Sequence, residues 1–343
     1  MAVSQGDLSA ALLERDPNLP ASFYWDPEGG VRRDLPLREL IEVVRSKRGE
    51  LWVDIDSTNR HQHALLEKVF GFHPLSVEDT LNPNSRVKAE EYDGYLFAII
   101  RVVRFDERTD DPYDLDTFNL NFFLGPNFLV TAHAEPSRSI AAVAEQLVRS
   151  PELLSRGAER LMHAVMDTAI DAYFPIIDRI DEFTHDIEEC VFIQFDSAAL
   201  HRIFSVKRLV LSLRRHLAPQ REVFNLLTNR PSALLAPPAQ IYFRDIYDHV
   251  LRINESLETY RDLLGSTLDA YLTQVSNRLG VVSKGLAVFA TLSIPFVVIS
   301  GMWGMNFSRI PLADHPYGFW VLLGSQLGVG LLLIGLLRWR KWL

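Results

Sequence analysis

Residues 285–308, GLAVFATLSIPFVVISGMWGMNFS, form an uncharged run of 24 residues that decides how the chain is organised. A second uncharged run of 22 residues, 316–337, follows after a short polar turn. Each run can cross a bilayer as a helix, because a hydrocarbon core of about 30 Å needs about 20 apolar residues. Backbone inside lipid must satisfy its own hydrogen bonds, so the two runs predict a hairpin of membrane helices.

Small residues follow one face of the first run and of the segment that leads into it. Steps of three and four residues place them on a single stripe of an α-helix. Two interpretations remain open from this geometry: a packing face between two helices, or the wall of a pore formed by copies of the helix. The stripe comprises Gly280, Ser283, Ala287, Ala290, Ile294, Val297 and Gly301.

Basic residues are concentrated before the first run and after the second. The turn between the two runs has one Arg and one Asp. The positive-inside rule therefore predicts that both chain termini are cytoplasmic and that Asn306 lies on the outer side. The flanking basic residues are Arg278, Lys284, Arg338, Arg340 and Lys341.

Composition excludes several classes of function. The net charge of −9 argues against a nucleic-acid partner, because neutralising phosphates needs a basic face. The single cysteine, Cys190, excludes an internal disulfide and fits a reducing compartment. The chain has no apolar segment after Met1 that would indicate a secretory signal. It also has no phosphate-binding glycine loop, no Gly-x-Ser-x-Gly and no zinc-type Cys/His spacing, so the sequence predicts no enzyme.

Apolar runs and helical patterns alternate in the first 155 residues, which predicts an α/β domain with a mixed sheet. Helices are expected at 61–70, 75–81 and 137–148, and Gly125-Pro-Asn127 predicts a hairpin turn. The predicted strands are 23–25, 51–55, 95–103, 118–123 and 128–132.

From Gly157 onward the apolar residues recur at helical spacing. They predict one long helix from 157 to about 192, a basic helix at 198–217, and a break at 231–238. Ile241 to Leu279 adds 39 residues of helical period without a proline. This rod would be roughly 59 Å long and continue into the first membrane span. Because one small domain cannot cover such a rod, we expect self-association around an axis.

The predicted fold class is α+β. An N-terminal α/β cytoplasmic domain with a mixed sheet precedes long stalk helices and a C-terminal two-helix transmembrane hairpin. The expected segments are the α/β domain 1–155, a cytoplasmic helical hairpin 156–238, the stalk and first membrane helix 239–303, an extracytoplasmic loop 304–315, the second membrane helix 316–337 and a basic tail 338–343.

Several motifs resemble the CorA family of divalent-cation channels. The closest likeness is Gly304-Met305-Asn306 at the end of the first of two terminal spans, followed by Tyr317-Gly. Further segments are similar to the family in the right order, over nearly the whole chain after residue 45. They include His73-Pro-Leu-Ser-Val-Glu-Asp79, Glu90-Glu-Tyr-Asp-Gly-Tyr-Leu-Phe97, Asp171-Ala-Tyr-Phe-Pro175 and Tyr242-Phe-Arg-Asp-Ile-Tyr-Asp-His249.

The resemblance implies a funnel-shaped homopentamer in the cell membrane, surrounded by lipid, with the first span lining the pore. It implies Mg²⁺ uptake, extending to Co²⁺ and Ni²⁺, driven by the membrane potential and closed by intracellular Mg²⁺. Mg²⁺ would thus be both the transported and the regulatory ion, with no organic cofactor. Two alternatives stay open: the zinc-transporting branch of the same family, and a membrane-anchored sensor or scaffold without transport.

The resemblance also implies roles for individual residues. Gly304, Met305 and Asn306 would form the selectivity filter, and Asp314 would stand in the outer loop where relatives carry a Glu. Gly280 occupies the pore-entrance position where many relatives have Asn. The pore wall would comprise Gly280, Ser283, Leu286, Ala290, Ile294, Val297 and Gly301, with apolar constrictions at Leu286 and Ile294. The regulatory metal ligands would be Asp245 with Glu78 or Asp79, and Asp171 at a second site.

Overall fold

The computed structural model describes residues 18–105, 115–193, 197–305, 310–312 and 315–342. The chain divides into two compact units, Met1–Gly265 and Ser266–Leu343, and the boundary falls inside a single long helix.

The first unit is built on a seven-stranded mixed sheet, in the order β2-β1-β3-β7-β6-β5-β4. Within the described residues, β3 and β7 pair in parallel and the other neighbours are antiparallel. The strands are β1 Ala21–Asp26, β2 Gly30–Arg33, β3 Glu50–Asp56, β4 Lys88–Tyr92, β5 Tyr95–Phe105, β6 Leu115–Leu124 and β7 Phe128–His133.

The mixed sheet and all five predicted strands are confirmed, but two strands were not predicted. Both β2 and β4 lie at the edges of the sheet. Their sequences, GVRR and KAEEY, are mostly polar and their residues are exposed or half-buried, so they lack the apolar signal of a buried strand. Charged edge strands of this kind protect a sheet from pairing with other chains.

Helices lie between and after the strands of the first unit, and the last two described elements of the chain are also helical. They are α1 Leu37–Ser46, α2 Arg60–Lys68, α3 Pro74–Asp79, α4 Arg138–Arg149, α5 Glu152–Ser155, α6 Ala158–Asp171, α7 Phe174–Ile193, α8 Ser197–Leu217, α9 Gln220–Asn229, α10 Pro237–Trp303 and α11 Gly318–Trp339.

The prediction of one helix from 157 to 192 is wrong, because the chain breaks between α6 and α7. Pro175 is the second residue of α7, where its missing N–H costs nothing. If α6 and α7 were one continuous helix, the ring of Pro175 would clash with the carbonyl of Asp171, four residues earlier. The apolar spacing continues across the break, so periodicity alone could not reveal it. The break leaves Asp171 as the last residue of α6.

Glu50 at the start of β3 ties the sheet to the first turn of α6. Its carboxylate accepts a hydrogen bond from the backbone N–H of Ala158 over 3.0 Å. Burial raises the pKa of Glu50 to about 7, the Ala158 bond opposes this, and the charge of Glu159 adds to it. Because the pKa of Glu50 is higher in the folded than in the unfolded chain, the protonated Glu50 contributes to stability at low pH. This contribution is lost as pH rises through about 7.

We therefore expect Glu50→Gln to raise the melting temperature more at pH 8 than at pH 5. Glutamine keeps an oxygen acceptor for Ala158 and removes the charge that burial disfavours. Thermal unfolding of the full chain in detergent measures the effect, with the exposed Glu152→Gln as the matched control. The same change in melting temperature at both pH values would contradict the assigned pKa.

Candidate ion pathway and metal cluster

The helices α10 and α11 each contain a stretch long and apolar enough to cross a membrane. α10 has 67 residues, and both stretches have a mean hydropathy of 2.0. In a single chain only 6% and 11% of these stretches are buried. An apolar surface of this extent needs lipid or further copies of the chain to cover it.

The contact between the two spans uses a different set of residues from the predicted stripe. Gln326 Nε2 on α11 donates to Ser300 Oγ on α10 over 2.8 Å. Gly330 on α11 gives room to the ring of Phe296 on α10. Pro295 lies inside α10 and removes one helical N–H, which a membrane helix tolerates when neighbouring groups compensate.

We expect Gly330→Leu to disrupt this hairpin. A Cβ at Gly330 would lie 2.8 Å from Phe296 Cζ, so a larger side chain forces the helices apart. Overpacking of this kind costs about 1–3 kcal/mol. Melting temperature in detergent should fall for Gly330→Leu and hold for Gly328→Leu, since a Cβ at Gly328 meets nothing within 4 Å. Equal effects of both substitutions would show that the Phe296 contact is unimportant.

Most of the predicted pore wall is exposed in a single chain. Leu286, Ile294 and Val297 are 65%, 58% and 69% exposed, Gly301 is exposed and Ala290 is half-buried. Of the two open interpretations, packing within the hairpin therefore does not explain this part of the stripe. Copies of α10 around an axis would cover it.

The start of the stripe has different neighbours. Gly280 and Ser283 line a cavity of about 540 Å³ together with basic residues of the C-terminal tail. Lys284 Nζ donates to the backbone oxygen of Lys341 over 3.1 Å. The predicted pore entrance and the tail are therefore neighbours within one chain.

α10 ends at Trp303, directly before the predicted filter. The N–H of Gly304 donates to the oxygens of Ser300 and Gly301 over 3.0 and 3.1 Å, which tightens the last turn. Among the described residues, a Cβ at Gly304 would meet the oxygens of Ser300 and Gly301 at 3.4 and 3.6 Å, which is ordinary contact and does not by itself require glycine. Met305 is 52% exposed, whereas Asn306 and Asp314 lie outside the described residues.

Three side chains of types that can hold a metal ion meet between the end of α6 and the start of α10. Ligand atoms of Asp167, Asp171 and His249 all lie within 4.8 Å of one another, and it is the one such group in the described part of the chain. His249 Nδ1 is 3.2 Å from Asp171 Oδ1, although the angles do not make a hydrogen bond. The buried Oδ1 of Asp167 also has no hydrogen-bond partner.

The electrostatics of this cluster favour a cation. Burial raises the pKa of Asp167, the neighbouring charge of Asp171 raises it further, and His249 opposes both effects. Asp171 also stands at the C-terminal end of α6, where the helix dipole disfavours an anion. A divalent ion would relieve the like-charge repulsion and give the unpartnered oxygen of Asp167 a ligand role. The donor set of two carboxylates and one imidazole suits Co²⁺ and Ni²⁺ as well as Mg²⁺.

Asp245 lies exposed one turn of α10 before His249. Its charge acts on the pKa values of both Asp167 and His163. The pKa of His163 is nonetheless lowered to about 4, chiefly by burial and then by the nearby Arg160. Beside the cluster therefore lie the acidic Asp245 and the imidazole of His163, whose lowered pKa keeps it neutral at neutral pH.

The structure does not bring Glu78, Asp79 and Asp245 into one metal-holding group within a single chain. Asp79 accepts hydrogen bonds from Ser85 Oγ over 2.9 Å and Lys88 Nζ over 2.8 Å. Glu78 is exposed on α3.

Sequence reasoning named Asp171 and missed Asp167 and His249. The only available signal was helical spacing. Asp167 lies four residues before Asp171, and His249 lies four residues after Asp245.

Comparisons with known proteins agree with this organisation. The family model described as CorA-like Mg²⁺ transporter protein matches residues 48–339. YfjQ of Bacillus subtilis is 32% identical over 288 residues, covering 84% of this chain and 87% of that protein. The cobalt/magnesium transport protein CorA of Thermotoga maritima is 29% identical over 309 residues, covering 89% and 87%. The structure of the CorA magnesium transporter from Methanocaldococcus jannaschii superposes with a TM-score of 0.81 at 19% identity, covering 95% and 99%.

Proposed function

The chain belongs to the CorA-like Mg²⁺ transporter family and is a membrane transporter of divalent cations, and we propose that it works as a homopentameric channel. The observation that carries the proposal is the exposed stripe of α10, which α11 leaves uncovered. One hairpin cannot enclose a hydrated ion. Five copies of α10 around an axis would bury the stripe and line a continuous path.

The proposed filter works on the hydrated ion. Mg²⁺ loses its water reluctantly and is best held through that water. Five Asn306 side chains would place a ring of amide oxygens at the outer mouth, and Gly304 would allow the backbones to approach the axis. Further along the path, rings of Leu286 and Ile294 would close the pore by dewetting. Asp314 would add negative charge to the outer loop.

The membrane potential would drive uptake inward. Each charge gains about 2.3 kcal/mol per 100 mV, so a divalent ion at that potential can accumulate roughly a thousandfold. In the proposed orientation both termini are cytoplasmic, because the basic residues flank the hairpin on that side. In this proposal the chain is organised as the six segments predicted from the sequence, from the α/β domain 1–155 to the tail 338–343.

We propose that intracellular Mg²⁺ closes the pore by binding to the first unit. Asp245 of one subunit would face Glu78 or Asp79 of its neighbour, and the cluster at Asp171 would form a second site. Carboxylates of adjacent subunits repel each other without an ion and are bridged when one binds. Because α10 contains both Asp245 and the pore stripe, a bridge at Asp245 would restrain the helix that lines the pore.

Ion flux into vesicles tests the proposal. Purified protein is reconstituted in vesicles loaded with a fluorescent indicator, and Mg²⁺, Co²⁺, Ni²⁺ and Zn²⁺ are added in turn with a pH indicator present. We expect entry of Mg²⁺, Co²⁺ and Ni²⁺ without proton movement. Entry of Zn²⁺ with protons would instead support the zinc-transporting alternative, and no flux of any ion would support the sensor or scaffold.

A further inference from the structure

A basic pocket of about 400 Å³ opens in the first unit, and its lining shares no residue with the acidic cluster. Three arginines and a histidine contribute to its lining, and no Asp or Glu does. The basic residues come from the loop before β4, from β5 and from the end of α8, and they are Arg86, Arg101, Arg215 and His216.

The central side chain, Arg101, is held in place before any ligand arrives. Its guanidinium donates to the backbone oxygens of Pro83 and Ser85 over 3.0 and 3.4 Å. Its own backbone oxygen accepts from Tyr173 and Gln220 over 2.9 and 3.1 Å. A guanidinium has five N–H donors, so three remain for a further acceptor. Preorganisation of this kind lowers the entropic cost of binding.

No carboxylate of the described residues pairs with the arginines of the pocket, Arg86, Arg101 and Arg215. The adjacent Arg214, by contrast, pairs with Glu258 over 2.9 Å. Burial and the charges of Arg101 and Arg215 lower the pKa of His216, so the positive field extends to the imidazole.

We propose that this pocket binds the phosphate group of inorganic phosphate or of a nucleotide. Converging guanidinium groups match the geometry of phosphate oxygens and form charge-assisted hydrogen bonds to them. The volume exceeds what one phosphate ion fills, so part of a larger molecule also fits.

The pocket is also linked to a proposed regulatory acid. Ser85 accepts from Arg101 with its backbone oxygen and donates with its hydroxyl to Asp79. Binding itself does not depend on the proposed transport function.

Binding of ATP, inorganic phosphate and adenosine to the full-length protein in Mg²⁺-free, low-salt detergent buffer tests the proposal by calorimetry. We expect ATP to bind and adenosine not to bind. Phosphate binding as well would identify the free anion as a sufficient ligand, and ATP binding alone would identify a nucleotide. Affinity should fall as salt rises, because exposed charges are screened.

Substitutions of the exposed pocket arginines test whether ATP binds in this pocket. Arg86 and Arg215 are exposed, so Arg86→Gln and Arg215→Gln leave the fold intact. Each substitution should weaken ATP binding roughly tenfold, because the loss of one hydrogen bond to a charged group lowers affinity by about that factor. Arg208→Gln, an exposed change on the same helix α8, should bind as wild type.

Three results would overturn the proposal. The first is the absence of binding by ATP and phosphate, and the second is unchanged ATP affinity in the Arg86→Gln, Arg215→Gln double variant. The third is a double variant that changes only the oligomeric state, which would assign the arginines to a contact between copies of the chain.

Discussion

Asn306→Ala is expected to reduce Mg²⁺ uptake by about tenfold or more while leaving a folded, membrane-inserted oligomer. One hydrogen bond contributes about 0.5–1.5 kcal/mol, and the substitution removes five amides from the same ring. The ring is the only part of the proposed filter that accepts hydrogen bonds through side chains. Uptake by vesicles under a fixed potential measures the effect.

Phe319→Ala is the matched control for Asn306→Ala. Phe319 is exposed on α11, near the same end of the hairpin, and has no role in the proposed filter. Size-exclusion chromatography of both variants checks that the oligomer is intact. Wild-type uptake by Asn306→Ala would remove the tripeptide from the selectivity mechanism.

The Gly304→Ala variant distinguishes two reasons for a glycine at this position: strain within one chain, and crowding of several chains at the pore axis. A Cβ at Gly304 meets its nearest described neighbour at 3.4 Å, so the described part of a single chain accommodates alanine. If uptake nevertheless falls, the requirement for glycine comes from the approach of several backbones in the assembled filter.

Asp245→Ala is expected to abolish protection of the first unit from proteolysis by Mg²⁺. In the wild type, millimolar Mg²⁺ should slow cleavage several-fold, because bridged carboxylates hold neighbouring subunits together. The variant should be cleaved at the same rate with and without Mg²⁺. Asp245→Lys places an ammonium near the ion's position and should be protected even without metal.

Asp248→Ala controls for the loss of any acid from this part of α10. Asp248 is exposed three residues after Asp245. It lies outside the group formed by Asp167, Asp171 and His249. Its Mg²⁺-dependent protection should match that of the wild type. Equal Mg²⁺-dependent protection of Asp245→Ala and wild type would exclude Asp245 from the regulation.

Much of the fold could be predicted because its signals are local. A run without charge marks each membrane helix, and uninterrupted helical spacing from Ile241 to Leu279 marks the first part of α10. The edge strands β2 and β4 gave no such signal because solvent covers much of them. The break at Pro175 was missed because buried residues continue the same spacing on both sides of it.

The metal cluster was less predictable than the fold. Asp171 could be named because it lies in a recognisable motif. Asp167 lies one helical turn before Asp171 on α6, but only the packing of α6 against the start of α10 brings His249 to them, and no local pattern specifies that packing. The same holds for the basic pocket, whose arginines come from three separate segments.

Potential-driven Mg²⁺ uptake is the most direct test of the central claim that this chain forms an ion channel. Vesicles containing the purified protein, a Mg²⁺ indicator and a K⁺ gradient are given a negative interior potential by adding valinomycin. We expect Mg²⁺ entry that increases with the imposed potential, needs no ATP, and is largely lost in Asn306→Ala. Mg²⁺ entry that does not respond to the potential, or no entry at all, would contradict this claim.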